Sequence, residues 1–335
     1  MPDSTDEGLT LTVDSVSLSA RVSAPVGRAR ATVLALPGGG YGAWYWDHPL
    51  HPQASLLRLG SLLGFRVIAV DRPGYGASSA LGGDRLTVPA QAQLLNELAA
   101  QSHAAGEAGA GVFLVGHSLG AIMALEMAAG EPSYPLIGVA VSGVPIRYPD
   151  YMVAGLEQQP IGGTHLPGHD AETIARMFYG PDGTYDPRIL VFDVDHQAPV
   201  PVPEFLNAKT YPLVFPVVAP RIRVPVQYVI AENEASSVGG TVMLSEAARR
   251  FSASRRVDAW EQSSAGHCVS LHLVARAYHL RVLGVRRGVP GYPRVSPVPT
   301  IDADAGRPRR LDAGRPRRLF AEPRSRGAEV LRCKQ

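Results

Sequence analysis

The chain has 335 residues, of which 45% are hydrophobic and 19% charged, with a net charge of +2 and a mean hydropathy of +0.01. These values belong to an ordinary folded protein with a large core, and they exclude a chain that is disordered or fibrous throughout. The charge is uneven: from Arg294 onward eleven Lys and Arg stand against five Asp and Glu, a net +6 that leaves −4 on residues 1–293, so the body is not a nucleic-acid binder by charge.

The amino terminus, MPDSTDEGLT, is acidic and polar, without the apolar core of a secretory signal, and no run approaches the roughly eighteen apolar residues of a membrane span. A cytoplasmic location with no membrane partner is the expectation. Cys268 and Cys333 cannot frame a disulfide scaffold and are read as reduced thiols. Nothing in the pattern speaks to the oligomeric state.

Residues 9–25 alternate apolar and polar in two runs, which predicts an antiparallel hairpin at a sheet edge. Residues 31–37, ATVLALP, form the continuous apolar run of a doubly covered strand and lead into Pro37-Gly38-Gly39-Gly40. A helix is predicted over 51–63 and a buried strand over 65–70. The Gly- and Pro-punctuated loop DRPGYGAS follows at 71–78, then a helix over 88–104. At 111–130, GVFLVGHSLGAIMALEMAAG reads as a buried strand turning abruptly into an apolar helix, and 136–142 as another strand. Strands alternating with helices imply βαβ units and a mostly parallel sheet.

From 144 to 220 prolines are dense and helical periodicity shows only near 171–178. So long an irregular stretch marks a functional insertion, read here as a lid. The core resumes with a strand over 224–231, a helix over 241–251, a strand over 256–261 and a helix over 268–283. From 288 the pattern fades, and the octapeptide DAGRPRRL is repeated in tandem at 304–311 and 312–319, a composition that cannot bury enough apolar surface to order itself. The expected domains are a core at 1–143 and 221–287, a lid at 144–220, and a basic solvated tail at 288–335.

The chemistry centres on Gly116-His117-Ser118-Leu119-Gly120. Small residues two places before and after the serine let strand and helix approach closely, so that the hydroxyl stands at the carboxyl edge of the sheet and the Leu119 amide faces a developing oxyanion. A serine needs a base beside it, oriented by a carboxylate, in the chain order Ser, acid, His. His267, in the loop after the last predicted strand, is the candidate base. Glu232-Asn233-Glu234 follows the preceding strand and offers the acid. A second oxyanion donor is expected from the loop after an early strand, where Gly39 fits and glycines let substrate approach the backbone. The glycines of 38–40 carry neither of the phosphate-binding spacings.

With these pieces the chain resembles the α/β-hydrolase family over about 9–283, through LPGGGYGAW, DRPGYGAS, GHSLG, the strand before AENE, and SAGHC. The resemblance implies an eight-stranded, mostly parallel sheet with helices on both faces, a Ser/acid/His triad and a lid after the sixth strand. The family's spacing places the acid three residues after the small residue closing the strand, which counts from Ala231 to Glu234. Glu232 and Asp150, beyond the strand ending at Ser142, stay open as alternatives. Most such chains carry Asp where Glu234 stands and His where Pro37 stands. Tyr41, Trp44 and Tyr45 would line the acyl side of the pocket by resemblance, or serve as packing aromatics.

His165 and His169 are separated by Leu166-Pro167-Gly168, which forbids a helix aiming both at one metal, so no metal site and no cofactor are expected. Asp193, Asp195 and His196 read as solvated loop charges. His117 and Cys268 read as packing residues, and His272 and His279 as surface or packing ones. The expected activity is a serine hydrolase acting on an ester, thioester or lactone of a medium-sized apolar substrate through an acyl-enzyme on Ser118. The alternatives are an acyltransferase, cyclase or lyase with the same triad, or a binding protein that keeps the fold.

Overall fold

The two alternating runs near the amino terminus form the edge hairpin. β1 (Thr5–Val13) pairs antiparallel with β2 (Val16–Ser23) across Asp14-Ser15, both at positive φ, 45° and 64°. This is the two-residue turn whose twist matches right-handed strands. The computed structural model describes residues 5–78 and 80–284, all within a first unit, Met1–Tyr292. The expected tail at 288–335, with Cys333, lies outside the described residues.

The rest of the core alternates as read. In chain order come β3 (Thr32–Leu36), α1 (Leu56–Leu62), β4 (Arg66–Val70), α2 (Val88–Ala104), β5 (Val112–His117), α3 (Leu119–Ala129) and β6 (Leu136–Ser142). The segment from β6 to the next core strand holds α4 (Asp150–Gln158), β7 (His165–Leu166), α5 (Ala171–Phe178), α6 (Pro187–His196), β8 (Val200–Pro201) and α7 (Val202–Val218). β9 (Val226–Asn233), α8 (Thr241–Arg250), β10 (Val257–Gly266) and α9 (Ala275–Gly284) complete it.

The eight-stranded sheet has the order β1-β2-β4-β3-β5-β6-β9-β10. β2 runs antiparallel to β1 and β4, and the other neighbours pair parallel. Successive residues of the central strands enter two cores. Val33, Ala35, Phe113 and Val115 pack with α1 and α9 on one face, and Leu34, Leu36, Leu114 and Val139 with α2, α3 and α8 on the other. A sheet covered on both faces explains the unbroken apolar runs of its strands.

Residues 144–220 correct the sequence reading, which found helical periodicity only at α5. Three further helices form, and prolines open them: Pro149 caps α4, Pro187 begins α6 and Pro203 lies in the first turn of α7. The missing N–H of a proline is no loss there, because first-turn N–H groups have no intrahelical partner. Pro212 and Pro216 lie inside α7, which persists because Tyr211, Phe215 and Val218 are buried against the core. The predicted helix at 268–283 instead begins at Ala275, after a 3₁₀ turn at Val269–Leu271. No helix among the described residues is long and apolar enough to cross a membrane.

Candidate active site

Parallel pairing brings the carboxyl ends of β3, β5, β6, β9 and β10 to one edge, where loops from strands far apart in sequence meet. Ser118 stands there between β5 and α3 at φ 52° and ψ −120°, half-buried, its amide donating to the Ser142 carbonyl at 2.9 Å. A non-glycine residue at positive φ is held by its surroundings at a cost of order 1–3 kcal/mol. The glycines two places to either side make the turn possible. A Cβ at Gly120 would overlap the Leu36 and Pro37 carbonyls, and one at Gly116 would lie 2.5 Å from the Gly120 carbonyl.

His267 follows the last residue of β10, and its Nδ1 lies 2.8 Å and 3.0 Å from the two carboxylate oxygens of Glu234. The two side chains are 3% and 1% exposed, so the contact is dry. Burial pushes the Glu234 carboxyl up, but the His267 ring and the Ser236 donors outweigh it and hold the group below its ordinary value. The His267 ring lies 4.7 Å from that of His117, which precedes Ser118, and a Cβ on Gly143 would come within 2.6 Å of its Cε1. The elbow, the end of β6 and the His–Glu pair are thus adjacent.

Of the other carboxylates, Glu232 accepts from the Ser264 amide at 2.7 Å, bracing a residue at φ 55° just before His267. Asp150 is exposed at the start of α4. Gly39 lies against the elbow helix, where an added Cβ would meet Leu119 Cδ1 at 2.5 Å. Tyr41 and Tyr45 are buried, while Trp44 is half-buried and packs on Phe192. Tyr45 stacks on His117 at 4.6 Å, and burial with the neighbouring His267 holds His117 well below the usual histidine pKa. A neutral His117 therefore adds no charge beside the serine.

Three contributors escaped the sequence reading. Ser236 donates from its amide at 3.0 Å and its hydroxyl at 2.7 Å to Glu234, and its Oγ is 2.9 Å from His267 Nδ1. Ser236→Ala is expected to lower kcat about 3- to 10-fold with KM unchanged, the worth of one hydrogen bond of about 1 kcal/mol, as steady-state kinetics would read. His272 is buried, with its pKa lowered to about 4, and its Nε2 accepts from the amides of Gly180 at 3.0 Å and Gly266 at 2.9 Å, tying α5's exit to the His267 loop. Asp193, read as a solvated loop charge, is instead fully buried in α6.

Asp193 Oδ2 accepts from the Tyr41 and Tyr179 hydroxyls, both at 2.8 Å, and Cys268 Sγ donates to Tyr41 Oη at 3.3 Å. Burial pushes this carboxyl up to about 6 against the pull of the two tyrosines. A raised carboxyl stabilises the fold most below its unfolded pKa near 3.8, and that contribution, on the order of 3 kcal/mol, is lost as pH rises to about 6. In urea titrations from about pH 4 to 6.5, Asp193→Asn is therefore expected to gain stability relative to wild type; parallel curves would contradict the assignment.

Residues 171–202 lie over the site. Phe178 is 5.7 Å from the His267 ring, and the Ala198 amide donates to the Gly40 carbonyl at 2.8 Å. Val200 Cγ2 would be 3.5 Å from a Cβ at Gly39. Among the described residues no group of three or more His, Cys, Asp and Glu is placed to hold a metal ion.

The sheet order and the strained elbow serine define the class of this protein, and comparison with known families agrees. The profile of the family described as "Alpha/beta hydrolase family" matches residues 33–279, and the chain belongs to that family. No curated protein matches the sequence. Among solved structures, the chain is similar to an enol-lactonase from Burkholderia xenovorans, at 18% identity over 82% of this chain and 98% of that one, with a TM-score of 0.61. An esterase from Thermogutta terrifontis aligns at 18% identity over 83% and 99% (TM-score 0.57), and an epoxide hydrolase from Vigna radiata at 15% over 83% and 96% (TM-score 0.58). At such identities the likeness is one of fold.

Proposed function

We propose that the protein is a serine hydrolase that cleaves an ester, thioester or lactone of a medium-sized apolar substrate through an acyl-enzyme on Ser118. The observation that carries the reading is the buried His267–Glu234 pair, 2.8 Å apart, at the same sheet edge as a serine strained to φ 52°. Glu234 holds Nδ1 and leaves Nε2 to take the Ser118 proton as the hydroxyl attacks the carbonyl carbon. The oxyanion is received by the Gly39 and Leu119 amides, each worth about 3 kcal/mol of barrier. The protonated imidazole returns its proton to the leaving oxygen or sulfur; His267 then activates water, which releases the acid and restores Ser118.

The neighbouring folds include an esterase, an enol-lactonase and an epoxide hydrolase. Opening an epoxide in this fold requires a carboxylate nucleophile at the elbow, and a hydroxyl there favours acyl chemistry. We assign residues 144–220 as a lid and Trp44 to the acyl side of the pocket: Phe178 and Val200 present apolar surface over His267 and Gly39, and Trp44 packs on Phe192 of the same segment.

A panel of p-nitrophenyl esters, thioesters and lactones of graded size, run with wild type and Ser118→Ala, tests the reading. Turnover of at least one class, lost in the variant, is the expected result. Products made with and without an added alcohol decide between water and another acceptor. No turnover by wild type across the panel would remove the hydrolase assignment.

A further inference from the structure

Arg72 is fully buried, as is its partner Glu204. Fully buried arginines are rare and need a complete set of partners. Each guanidinium nitrogen has a partner: Nε donates to the Pro37 carbonyl at 3.1 Å, Nη2 to the Gly38 carbonyl at 2.9 Å, and Nη1 to Glu204. Glu204, in the first turn of α7, also accepts from the Tyr75 hydroxyl at 2.8 Å and the Gln91 amide at 2.6 Å. The motif DRPGYGAS thus forms a platform under the loop after β3, and Asp71 adds a contact to it by accepting from the Ala43 amide at 2.6 Å.

The Gly38 carbonyl belongs to the peptide unit that carries the Gly39 N–H. A trans peptide is planar, its carbonyl and N–H pointing in opposite directions, so fixing one fixes the other. A cationic donor on the carbonyl also polarises the unit and strengthens the N–H as a donor. Stability alone does not account for the pair, since buried ion pairs are commonly replaced by apolar side chains at little or no cost.

We propose that Arg72, locked from the inserted segment by Glu204, is a positioning residue for the oxyanion loop, turning the Gly39 amide toward the developing oxyanion and coupling its aim to the seating of α7. The proposal rests on the serine-hydrolase reading, with Gly39 as the oxyanion donor. Arg72 touches no reacting atom. Its effect is on the transition state, where the amide is used, rather than on substrate binding.

The test compares wild type with Arg72→Lys and with the double variant Arg72→Met/Glu204→Leu, whose apolar pair removes the buried charges together. The measurements are kcat and KM on p-nitrophenyl butyrate, the urea midpoint, and the inhibition constant of an alkyl trifluoromethyl ketone, which forms a hemiketal oxyanion on an active serine. Arg72→Lys keeps a charge but loses the planar fork that reaches two carbonyls and a carboxylate at once. Both variants are expected to lose about 10²-fold in kcat, with KM within about 2-fold of wild type and the ketone weakened by the same factor as kcat. A variant with a wild-type urea midpoint that keeps wild-type kcat and ketone affinity overturns the proposal and leaves the hydrolase reading intact. A wild type that neither turns over the ester nor binds the ketone overturns both.

Discussion

Ser118→Ala is expected to lower kcat/KM on any ester the wild type accepts by about 10⁴-fold or more, with no loss of stability. Without the hydroxyl no acyl-enzyme forms, and the oxyanion donors and substrate contacts alone leave a small residual rate. Alanine keeps the Cβ and therefore keeps the strain of a non-glycine residue at φ 52°. Ser118→Gly removes both, and should be equally inactive yet more stable by about 1 kcal/mol, the usual relief at a left-handed position. A pair of inactive variants that differ in urea midpoint, glycine above alanine, would show that the elbow trades stability for the exposure of its nucleophile. Equal activity in wild type and Ser118→Ala would remove Ser118 from the mechanism.

Glu234→Gln is expected to cost about 10³-fold in kcat at neutral pH, because an amide cannot balance the imidazolium that forms when His267 takes the serine proton. The two Ser236 donors at 3.0 Å and 2.7 Å, which suit a carboxylate, would compete with His267 for the amide oxygen and misorient the ring. The same substitution alters acid stability. Because the carboxyl is held below its usual 4.5, it contributes stability that is present above that value and is lost as pH falls through the lowered pKa. The wild type should therefore lose urea stability more steeply than Glu234→Gln on acidification below about pH 4.5, and curves of equal slope would contradict a buried Glu234 carboxylate held in its ionised form.

Much of this architecture was legible because its determinants are local. Continuous apolar runs named β3, β5 and β6, and the spacing of Gly116, Ser118 and Gly120 named the elbow, since a Cβ at Gly116 would run into α3 and one at Gly120 into the end of β3. The choice among Glu234, Glu232 and Asp150 was not local. It depends on where β9 ends and which carboxylate faces inward: Glu234 turns toward His267, and Glu232 toward the Ser264 amide.

The helices of residues 144–220 other than α5 were not legible because dense proline ordinarily marks the absence of a helix. At Pro149, Pro187 and Pro203 it opens helices, and at Pro212 and Pro216 tertiary packing overrides it. Asp193 and Arg72 carried no sequence signal of burial, since each depends on partners more than a hundred residues away: Tyr41 for the first and Glu204 for the second. Ser236 was visible as a residue two places past a candidate acid. Its hydrogen bonds to Glu234 arise from the turn that follows β9.

In the proposed mechanism Ser118 is a nucleophile activated by His267. Peptide mapping by mass spectrometry after reaction with a fluorophosphonate tests it most directly. The account predicts one adduct per chain, on the peptide that holds Ser118, absent from Ser118→Ala and formed far more slowly in His267→Asn. A folded wild-type protein that takes up no label on Ser118, or that is labelled as fast without His267 as with it, would contradict the account.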